Sequence, residues 1–566
     1  MGYLEKVELW KNFKGLEANL KKELDSMTED ELKDAFTDDL AFGTGGLRGV
    51  LGAGTNRMNI YIVAKATLGF GRYLAKKSNT ALQKGVSISH DNRHQSKEFA
   101  RISAEVLSSL GFRVFLFEAL RPTPELSYAV RYFNCIGGIM ITASHNPKEY
   151  NGYKIYDETG CQLVPRDADK VIDEISKIDN YFEIETKLNH DLIHYIGKDV
   201  DEAYIKEVKK IILRPNLKKN FKLTYTPLHG TGQVFAADVL RSEGYDVTPV
   251  AEQMTCDPDF SGVKTSNPEN KEAYDESIAL AKKIGAKICL ATDPDADRLG
   301  IAVEHNGEYY LFTGNQTAAI VLDYILKTRK ELNTLPKDGY MFTTNVSSTL
   351  PEIIAKEYGV KTEITLTGFK FIGEKAHEMV DMGKGSYVFG FEESYGCLVS
   401  PCVRDKDSIQ AILMLCEAAA YYFEKGMDLY DALEEIYKKY GYYKEGITNI
   451  TLKGLEGQAK IKRIMDFFRG NDIALKGFEI AAKDDCLLSI HTEYKGNEDV
   501  KSKINLPASN VIKYYLTDGS WVVLRPSGTE PKLKVYYGAK GSNSIDADNT
   551  VKKLTDELMS IVNMIK

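Results

Sequence analysis

A serine at the end of an apolar run is the side chain from which a chemistry for this sequence can be built. The segment Thr142-Ala143-Ser144-His145-Asn146-Pro147 follows residues 136–141, which have the length and apolar character of a buried strand. Proline cannot continue a strand's hydrogen-bond ladder, and it disfavours helical backbone at the residue before it. Ser144 is therefore predicted to lie on a turn at a strand end, facing a cleft that Lys154 can also reach. A serine beside a histidine is by itself more often a turn or capping pair, so the prediction depends on further polar segments.

Three aspartates at alternate positions, Asp293, Asp295 and Asp297, lie between strand-like apolar runs at 288–291 and 299–303. In extended backbone, alternate side chains point to the same side, so we expect the three carboxylates to converge. Hard oxygen ligands on a short loop suit Mg²⁺. The alternative is a solvated acidic turn, but clustered carboxylates between buried strands repel one another and favour a bound cation.

Carboxylate and hydroxyl groups suited to a sugar follow the strand-like run 387–389, at Glu392 and Ser394. They could instead cap a helix amino terminus. Two nearby segments add cations: the charged run 404–407 contains Lys406, and the turn at 367–370 contains Thr367, Gly368 and Lys370.

A loop near the end of the chain has the composition of a phosphate cradle. In residues 525–531, Gly528 leaves main-chain donors open, Ser527 and Thr529 add hydroxyls, and Arg525 offers a bidentate fork. Its two prolines and glycine are also compatible with a simple turn, but the arginine favours an anion site.

The glycine-rich segment 43–49 invites comparison with a dinucleotide-binding fingerprint. That fingerprint needs a strand directly before it and a helix directly after it. Neither is predicted here, so NAD binding is rejected. We expect instead a flexible arch that brings Arg48 to an anion, although an arginine in such a loop is as often structural.

The elements that must position these residues follow an α/β rhythm. Strands at 86–89 and 113–117, a helix from about Ser96 and the strand before Ser144 predict a parallel sheet with helices on both faces. Ligands bind beyond the carboxyl ends of such strands. The rhythm restarts near Asp201 and near Leu326, whereas strands at 447–452, 487–490, 511–516, 521–524 and 532–537 with two helices predict a smaller α+β domain.

The predicted fold class is therefore α/β, with three similar mixed-sheet α/β domains followed by a C-terminal α+β domain. The predicted domains are residues 1–200 with the Ser144 loop, 201–325 with the aspartates, 326–440 with the Glu392 loop and 446–566 with the Arg525 loop. The segment 441–446 is the predicted hinge.

Amino-acid composition limits the classes of partner and the cellular compartment expected for this chain. A chain of 566 residues needs several cores, and its formal net charge of −8 argues against nucleic acid as the main partner. The eight cysteines show no CxxC pairing, which disfavours disulfides and zinc and favours a reducing cytoplasm. No apolar run is long enough to span a membrane, and the first residues lack a signal-peptide pattern. The sequence leaves the oligomeric state open, with a monomer or a weak dimer expected.

Taken in order, the segments Thr-Ala-Ser-His-Asn-Pro, Asp-Pro-Asp-Ala-Asp-Arg, Glu-Glu-Ser-Tyr-Gly and Arg-Pro-Ser-Gly-Thr-Glu-Pro resemble the α-D-phosphohexomutase superfamily, and most closely its phosphoglucomutases. The resemblance runs from about Gly43 to the last strand. It implies four domains that each give one loop to a central cleft, and an isomerase that acts as an intramolecular phosphotransferase on a small phosphosugar. The implied reaction interconverts α-D-glucose 1-phosphate and glucose 6-phosphate through a phosphoserine enzyme, with Mg²⁺ and with glucose 1,6-bisphosphate as activator and intermediate.

The resemblance also implies roles for the candidate residues. Ser144 would carry the phosphoryl group and, together with Asp293, Asp295 and Asp297, bind the metal ion. The other catalytic residues would be the acid/base Lys154, the cations Arg48 and Arg298, and His145. The implied substrate-binding residues are Thr367, Gly368, Lys370, Glu392, Ser394, Lys406, Arg525, Ser527, Gly528 and Thr529. A lysine that accepts the substrate's proton needs a lowered pKa, which Arg48, His145 or burial could provide.

Other substrates and functions stay open. Relatives that use mannose and glucose phosphates alike commonly carry a histidine at the position of Gly396, so this glycine favours glucose. Similarity to a subgroup that includes pentose mutases keeps ribose and deoxyribose 1-phosphates in view. Two less favoured alternatives are a phosphatase with Asp293 as nucleophile and a sugar-phosphate-binding protein without catalysis.

Overall fold

The computed structural model describes residues 2–43, 45–452, 454–471, 473–496, 498–527 and 532–565. The chain forms two compact units. The first contains residues 1–317 and 369–428, and the second contains residues 318–368 and 429–566. Among the described residues, no helix combines the length and the apolar character that crossing a membrane requires.

Three short helices open the first unit, α1 (Tyr3–Asn12), α2 (Ala18–Ser26) and α3 (Glu29–Phe36). They pack around the buried side chains of Trp10, Leu24 and Phe36. A six-stranded sheet with the strand order β1-β5-β4-β2-β3-β6 follows. Its strands are β1 (Leu47–Val50), β2 (Val86–His90), β3 (Val114–Phe117), β4 (Gly137–Ile141), β5 (Tyr150–Asp157) and β6 (Ile193–Ile196).

This first sheet is mixed, as predicted. Strands β4, β2, β3 and β6 run parallel, whereas β5 is antiparallel to both of its neighbours, β1 and β4. Helices cover both faces because successive strand residues point to opposite sides and both sets are apolar. On one face α4 (Ile60–Lys77), α6 (Ser96–Ser109) and α8 (Pro165–Ser176) pack with Val114 and Leu116. On the other face α7 (Thr123–Tyr132) and α9 (Lys198–Val208) pack with Phe115 and Phe117, and the short α5 (Ala81–Lys84) precedes β2.

A second sheet of the first unit has the strand order β11-β10-β9-β7-β8. Its strands are β7 (Lys222–Thr226), β8 (Asp246–Pro249), β9 (Ile288–Thr292), β10 (Leu299–His305) and β11 (Glu308–Phe312), with the helices α10 (Ala236–Ser242) and α11 (Asp275–Ile284). Strand β7 runs parallel to β8 and β9, and β9 is antiparallel to β10. Residues 293–298, which contain the three aspartates, therefore connect two adjacent strands.

The segment 369–428 completes the first unit. It contains α14 (Phe369–Val380), the antiparallel pair β14 (Ser386–Glu392) and β15 (Gly396–Leu398), and the buried helix α15 (Ser408–Phe423). Asp407 caps α15 by accepting hydrogen bonds from the N–H groups of Ile409 and Gln410. The cap fixes the position of Lys406, the residue before it.

The second unit starts within α12 (Gly314–Glu331) and contains the parallel strands β12 (Gly339–Thr344) and β13 (Lys361–Thr365), with α13 (Leu350–Glu357) between them and α16 (Leu429–Tyr440) after them. A seven-stranded antiparallel sheet follows, in the order β16-β22-β21-β20-β17-β18-β19. Its strands are β16 (Tyr442–Thr451), β17 (Ile480–Asp485), β18 (Ile490–Lys495), β19 (Glu498–Lys503), β20 (Ile512–Leu516), β21 (Trp521–Pro526) and β22 (Lys532–Gly541). Helices α17 (Gly454–Gly470) and α18 (Ser544–Met564) pack on this sheet, which makes the region α+β.

One prediction for this region is wrong. Residues 487–489 form the turn between β17 and β18 instead of a strand, with Ser489 at a φ of 56° and with Leu487 and Leu488 exposed. Their apolar character suggested a strand that burial does not support. The predicted hinge at 441–446 lies mostly in β16, whose residues 442–446 pair with residues 537–541 of β22, and its role as a hinge stays a prediction.

Candidate active site

Ser144 lies just beyond the end of β4, as predicted. Its backbone adopts the left-handed region (φ 53°), and its N–H donates to Thr142 Oγ1 at 2.8 Å. The side chain is buried, and its Oγ donates to Asp293 Oδ2 at 2.8 Å. His145 Nδ1 lies 3.2 Å from the same oxygen. The turn therefore brings the serine hydroxyl to one of the predicted metal ligands.

Arg93, which sequence reasoning missed, stabilises this turn through hydrogen bonds to its main chain. Its buried guanidinium donates to the main-chain oxygens of Ser144, Asn146, Pro147 and Tyr150. It also lies 3.2 Å from Asp91 Oδ2, and neither side chain is exposed. The sequence signal was the charged Asp91-Asn92-Arg93 segment directly after β2, because a charge placed there must find a partner inside the fold.

The three aspartates converge, but not by the predicted route. Residues 293–298 form a tight turn instead of extended backbone: Ala296 has a φ of 50°, and its N–H donates to the Asp293 carbonyl oxygen at 2.9 Å. Asp293 Oδ1 accepts the N–H groups of Asp297 and Arg298 at 3.1 and 3.0 Å. One ligand oxygen from each of the three buried aspartates lies within 4.8 Å of the others. The predicted convergence is confirmed, and its geometric explanation is corrected.

A glycine allows the neighbouring loop to support this turn. A Cβ on Gly230 would lie 2.4 Å from Pro294 Cα, so only glycine permits this approach. The N–H of Thr231 donates to the Pro294 carbonyl oxygen at 2.8 Å. Both loops follow the carboxyl ends of the parallel neighbours β7 and β9, where α/β sheets place their sites.

Two lysines face the aspartates. Lys154 Nζ, on β5 next to β4, lies 2.7 Å from Asp295 Oδ2 and 3.7 Å from Asp297 Oδ2. Lys406 Nζ lies 3.1 Å from Asp297 Oδ2. Thr123 Oγ1, at the start of α7, donates to Asp295 Oδ2 at 2.8 Å. Ser144, Lys154, Lys406 and the three aspartates thus form one cluster.

The charges of this cluster shift its pKa values in opposite directions. Burial raises the pKa of Asp293 well above its usual value, and the neighbouring Asp297 and Asp295 add to the rise. Burial would also raise the pKa of Asp295, but Lys154 lowers it overall. Burial would lower the pKa of Lys154, but Asp295 and Asp297 raise it overall. The lowered lysine pKa expected from the sequence is therefore wrong for this arrangement, because two carboxylates contact the ammonium.

His145 is not a cation here. Burial, Arg298 and Arg48 lower the pKa of His145 to about 2, so the ring is neutral at pH 7. A neutral imidazole cannot lower the pKa of Lys154 by repulsion. Its Nδ1 can form a hydrogen bond with the Ser144 hydroxyl.

The carboxylates fit a divalent cation. Asp295 Oδ1 and Asp297 Oδ1 are buried and have no hydrogen-bond partner among the described residues. A buried carboxylate oxygen without a partner is costly. Together with Asp293 and Ser144 Oγ, these oxygens are the hard donors that Mg²⁺ prefers.

Arg48 contacts the turn that contains Ser144, and Arg298 is the last residue of the aspartate turn. Arg48 lies in β1, paired with Gly152 of β5, and its Nη1 donates to Asn146 Oδ1 at 3.2 Å. The flexible arch predicted for this segment is therefore wrong at Arg48, which is held in a strand. Arg298 Nη1 donates to Glu269 Oε1 at 2.7 Å. Arg298 Nε also lies 3.8 Å from Asp297 Oδ1, and both arginines lower the pKa of His145, the neighbour of Ser144.

Glu392 and Ser394 lie on a hairpin, so the helix-cap alternative is wrong. Glu392 of β14 pairs with Gly396 of β15, and Tyr395 between them has a φ of 66°. The carbonyl oxygen of Tyr395 accepts the N–H of Leu299 at 3.0 Å, which joins this hairpin to the aspartate turn.

The remaining candidate residues are divided between the two units. Lys370 is buried in the first turn of α14, where its carbonyl oxygen accepts Cys161 Sγ at 3.2 Å. Thr367, Gly368, Arg525 and Ser527 belong to the second unit. Within that unit, Arg525 pairs with Lys534 of β22, and the N–H of Ser527 donates to the Lys532 carbonyl oxygen at 2.8 Å. Gly528 and Thr529 lie outside the described residues, and the phosphate cradle stays a prediction.

Four sequence profiles match the chain in order. They describe the phosphoglucomutase/phosphomannomutase alpha/beta/alpha domain I at residues 39–182, domain II at 202–307, domain III at 313–440 and the C-terminal domain at 481–548. The four-domain α/β architecture expected from the sequence is confirmed.

Curated relatives match over nearly the whole length. A phosphoglucomutase of Staphylococcus epidermidis is 38% identical over 527 residues, which cover 92% of this chain and 94% of that protein. A phosphoglucomutase of Staphylococcus aureus is 38% identical over 531 residues, covering 93% and 94%.

Solved structures share the fold. A phosphoglucomutase/phosphomannomutase family protein from Burkholderia thailandensis has a TM-score of 0.66 at 17% identity, with 93% of this chain and 97% of that chain covered. The open form of parafusin, a phosphoglucomutase from Paramecium, has a TM-score of 0.67 at 18% identity, covering 93% and 95%.

Proposed function

This chain belongs to the phosphoglucomutase/phosphomannomutase family of enzymes, and we propose that it is a phosphoglucomutase that interconverts α-D-glucose 1-phosphate and glucose 6-phosphate. One observation carries the proposal. The Ser144 hydroxyl donates to Asp293 at 2.8 Å, inside a cluster of three buried carboxylates with Lys154 beside it. A serine in that place can hold a phosphoryl group next to a cation site and a proton donor.

Asp293 is a poor alternative phosphoryl acceptor. Its Oδ1 accepts two main-chain N–H groups, and its Oδ2 accepts the Ser144 hydroxyl. A carboxylate with both oxygens engaged is a weak nucleophile, which disfavours the phosphatase alternative. Asp293, Asp295, Asp297 and an oxygen on Ser144 would hold Mg²⁺, which would offset the negative charge of the phosphoryl group.

In the first proposed transfer, the C6 hydroxyl oxygen of glucose 1-phosphate attacks the phosphorus on Ser144. The bond from phosphorus to Ser144 Oγ breaks as the bond to O6 forms, and the hydroxyl proton is passed on to Oγ. Glucose 1,6-bisphosphate then turns round in the site. In the second transfer, the C1 phosphoryl group moves to Oγ, the Oγ proton moves to O1, and glucose 6-phosphate is released.

Lys154 is the proposed proton carrier. Its raised pKa keeps it protonated at pH 7, so it can give a proton to the oxygen that leaves phosphorus. It can accept a proton only when the charge on Asp295 and Asp297 is offset. Neutral His145 would hold the serine oxygen, and Arg48 and Arg298 would face the phosphoryl oxygens.

Sugar binding is proposed for Glu392, Ser394, Lys406, Lys370, Thr367 and Gly368, and phosphate binding for Arg525, Ser527, Gly528 and Thr529. Fixing both ends of the substrate converts an encounter into a positioned transfer. We also expect the enzyme to act in the cytoplasm, where its cysteines stay free thiols, as a monomer or a weak dimer.

The contact between Gly396 and Lys406 supports glucose as the preferred sugar. A Cβ on Gly396 would lie 2.0 Å from Lys406 Cδ, so the lysine stem occupies the space that a histidine at this position would need. The test is a coupled assay with the 1-phosphates of glucose, mannose, N-acetylglucosamine, ribose and deoxyribose. Glucose 1-phosphate is expected to give the highest kcat/KM, and Ser144→Ala is expected to lose turnover on every sugar. A higher kcat/KM for mannose or pentose phosphates would overturn the assignment.

A further inference from the structure

A cavity of about 430 Å³ lies in the first unit, at the carboxyl ends of β2 and β3. His90 from β2, Phe117 from β3, Tyr195 from β6 and Lys97 and Arg101 from α6 contribute to its walls. Its volume is in the range of small-molecule sites. Except for Arg93, which also borders it, the lining residues have no part in the proposed reaction.

The cavity lies where the chain connections of the first sheet diverge. From β2 the chain enters α6, which packs on the face of Val114 and Leu116. From β3 it enters α7, which packs on the opposite face with Phe115 and Phe117, and continues to β4 on the far side of β2. Connections that leave neighbouring parallel strands in opposite directions open a crevice, and open α/β sheets bind ligands in such crevices.

His90 offers a hydrogen-bond acceptor to this cavity. The residue is 6% exposed, and its Nδ1 lies 2.8 Å from the Asp91 carbonyl oxygen. A carbonyl oxygen can only accept, so Nδ1 carries the proton and Nε2 is bare. Among the described residues, Nε2 has no hydrogen-bond partner. Burial lowers the pKa of His90, which keeps the ring neutral at pH 7. A bare imidazole nitrogen pairs with a donor such as a sugar hydroxyl.

The start of α6 offers positive charge. No side chain caps the amino terminus of this 14-residue helix. The N–H of Ser96 donates to the Arg93 carbonyl oxygen at 3.1 Å, and the N–H groups that follow it, together with the helix dipole, favour an anion. Lys97 is exposed and forms no ion pair with a described residue, whereas Arg101 is paired with Glu98 and Glu105. Glu98 and Glu118 also border the cavity, and their carboxylates can accept hydrogen bonds from sugar hydroxyl groups. The exposed ring of Tyr195 offers a face for a sugar ring.

We propose that this cavity is a second, non-catalytic site for a small phosphorylated sugar. Its phosphate lies at Lys97 and the amino terminus of α6, and a sugar hydroxyl donates to His90 Nε2. Arg93 borders the cavity and also contacts the Ser144 carbonyl oxygen. The site therefore adjoins the catalytic turn without containing a catalytic residue.

The test is calorimetric titration of Ser144→Ala protein, which cannot turn over, with glucose 6-phosphate. Two sites per chain are expected. Adding Lys97→Glu should weaken one of them roughly tenfold or more, because it reverses a charge-assisted contact. Lys22→Glu, on the exposed surface of α2, is the matched control and should leave the affinity of both sites unchanged. Two unchanged sites in the Lys97→Glu protein would overturn the proposal.

Two further results separate this proposal from the proposed function. A single site that Lys97→Glu removes would support the cavity and contradict sugar binding at Ser144. A single site that Lys97→Glu leaves unchanged would contradict the cavity. His90→Gln should weaken binding of glucose 6-phosphate at the second site but not binding of inorganic phosphate, which has no sugar hydroxyl. Equal weakening of both would contradict the assigned orientation.

Discussion

Lys154 is the proposed proton carrier, and it also contacts two of the proposed metal ligands. Its ammonium contacts Asp295 at 2.7 Å and Asp297 at 3.7 Å, and these contacts raise its pKa. The same carboxylates are the proposed metal ligands. The protonation of Lys154 is therefore coupled to the charge that those carboxylates carry.

Lys154→Gln should lower kcat roughly 10²- to 10⁴-fold, the usual contribution of a positioned acid or base. KM should change much less, because Lys154 is assigned to proton transfer and not to sugar binding. Steady-state kinetics would measure both constants, with circular dichroism to check folding. Lys148→Gln is the control, since Lys148 pairs with Asp259 at the surface. A kcat within tenfold of the native value would contradict the role of Lys154.

Gly396→Ala tests the assignment of Lys406. The new Cβ would lie 2.0 Å from the middle of the lysine stem, so the ammonium must leave Asp297. Losing a charged hydrogen bond of about 1.5–3 kcal/mol should lower kcat/KM roughly tenfold or more. Gly470→Ala is the control, because a Cβ there meets nothing within 4 Å. An unchanged kcat/KM in Gly396→Ala would show that catalysis does not depend on the contact between Lys406 and Asp297.

At the scale of elements, the turn after β4 depends on a buried ion pair. Arg93 holds four carbonyl oxygens of the turn, and Asp91 holds Arg93. Asp91 Oδ1 also accepts Ser96 Oγ at 2.6 Å, which connects the pair to the start of α6. The position of Ser144 thus depends on β2 and α6 as well as on β4.

Arg93→Ala should lower the free energy of unfolding by about 3–5 kcal/mol, because it leaves Asp91 as an unpaired buried charge. Urea denaturation would measure the change. The double variant Asp91→Asn with Arg93→Met removes both charges and should recover part of the loss. If the double variant were less stable than Arg93→Ala, the unpaired charge of Asp91 would not be the cause of the lost stability.

Sequence reasoning succeeded where a local rule acts alone. Proline after an apolar run placed Ser144 at a strand end, and the alternation of strands and helices gave the sheets. It failed for the backbone of the aspartate turn, because alanine seldom adopts the positive φ that Ala296 has here. The charged segment after β2 signalled a partner for Arg93 inside the fold, but it could not identify the four main-chain oxygens that Arg93 binds. The apolar pair Leu487 and Leu488 suggested a strand only because exposure cannot be read from one sequence.

At the scale of the whole molecule, the buried charges of the first unit make its stability depend on pH and on cations. The pKa of Asp293 is raised above the value of about 4 that it has in an unfolded chain. The folded state therefore holds this proton more tightly than the unfolded state does. The resulting stability is present below pH 4 and is lost as pH rises through the folded pKa.

Mg²⁺ should reverse that loss, because it binds the ionised carboxylates of the folded state only. Thermal unfolding with Mg²⁺ and with EDTA should give a larger increase in Tm at pH 8 than at pH 5. In Asp293→Asn, the loss of stability with pH should shrink and the Mg²⁺-dependent increase should disappear. An equal increase in the variant and in the native protein would place the cation elsewhere.

Mapping the phosphorylated residue shows whether Ser144 carries the phosphoryl group. The protein is incubated with glucose 1,6-bisphosphate, quenched in acid, digested and analysed by mass spectrometry. We expect one phosphate, on the peptide that contains Ser144, and none on that peptide from Ser144→Ala. Phosphate on the peptide that contains Asp293, or no covalent phosphate under conditions of full turnover, would show that Ser144 is not the carrier.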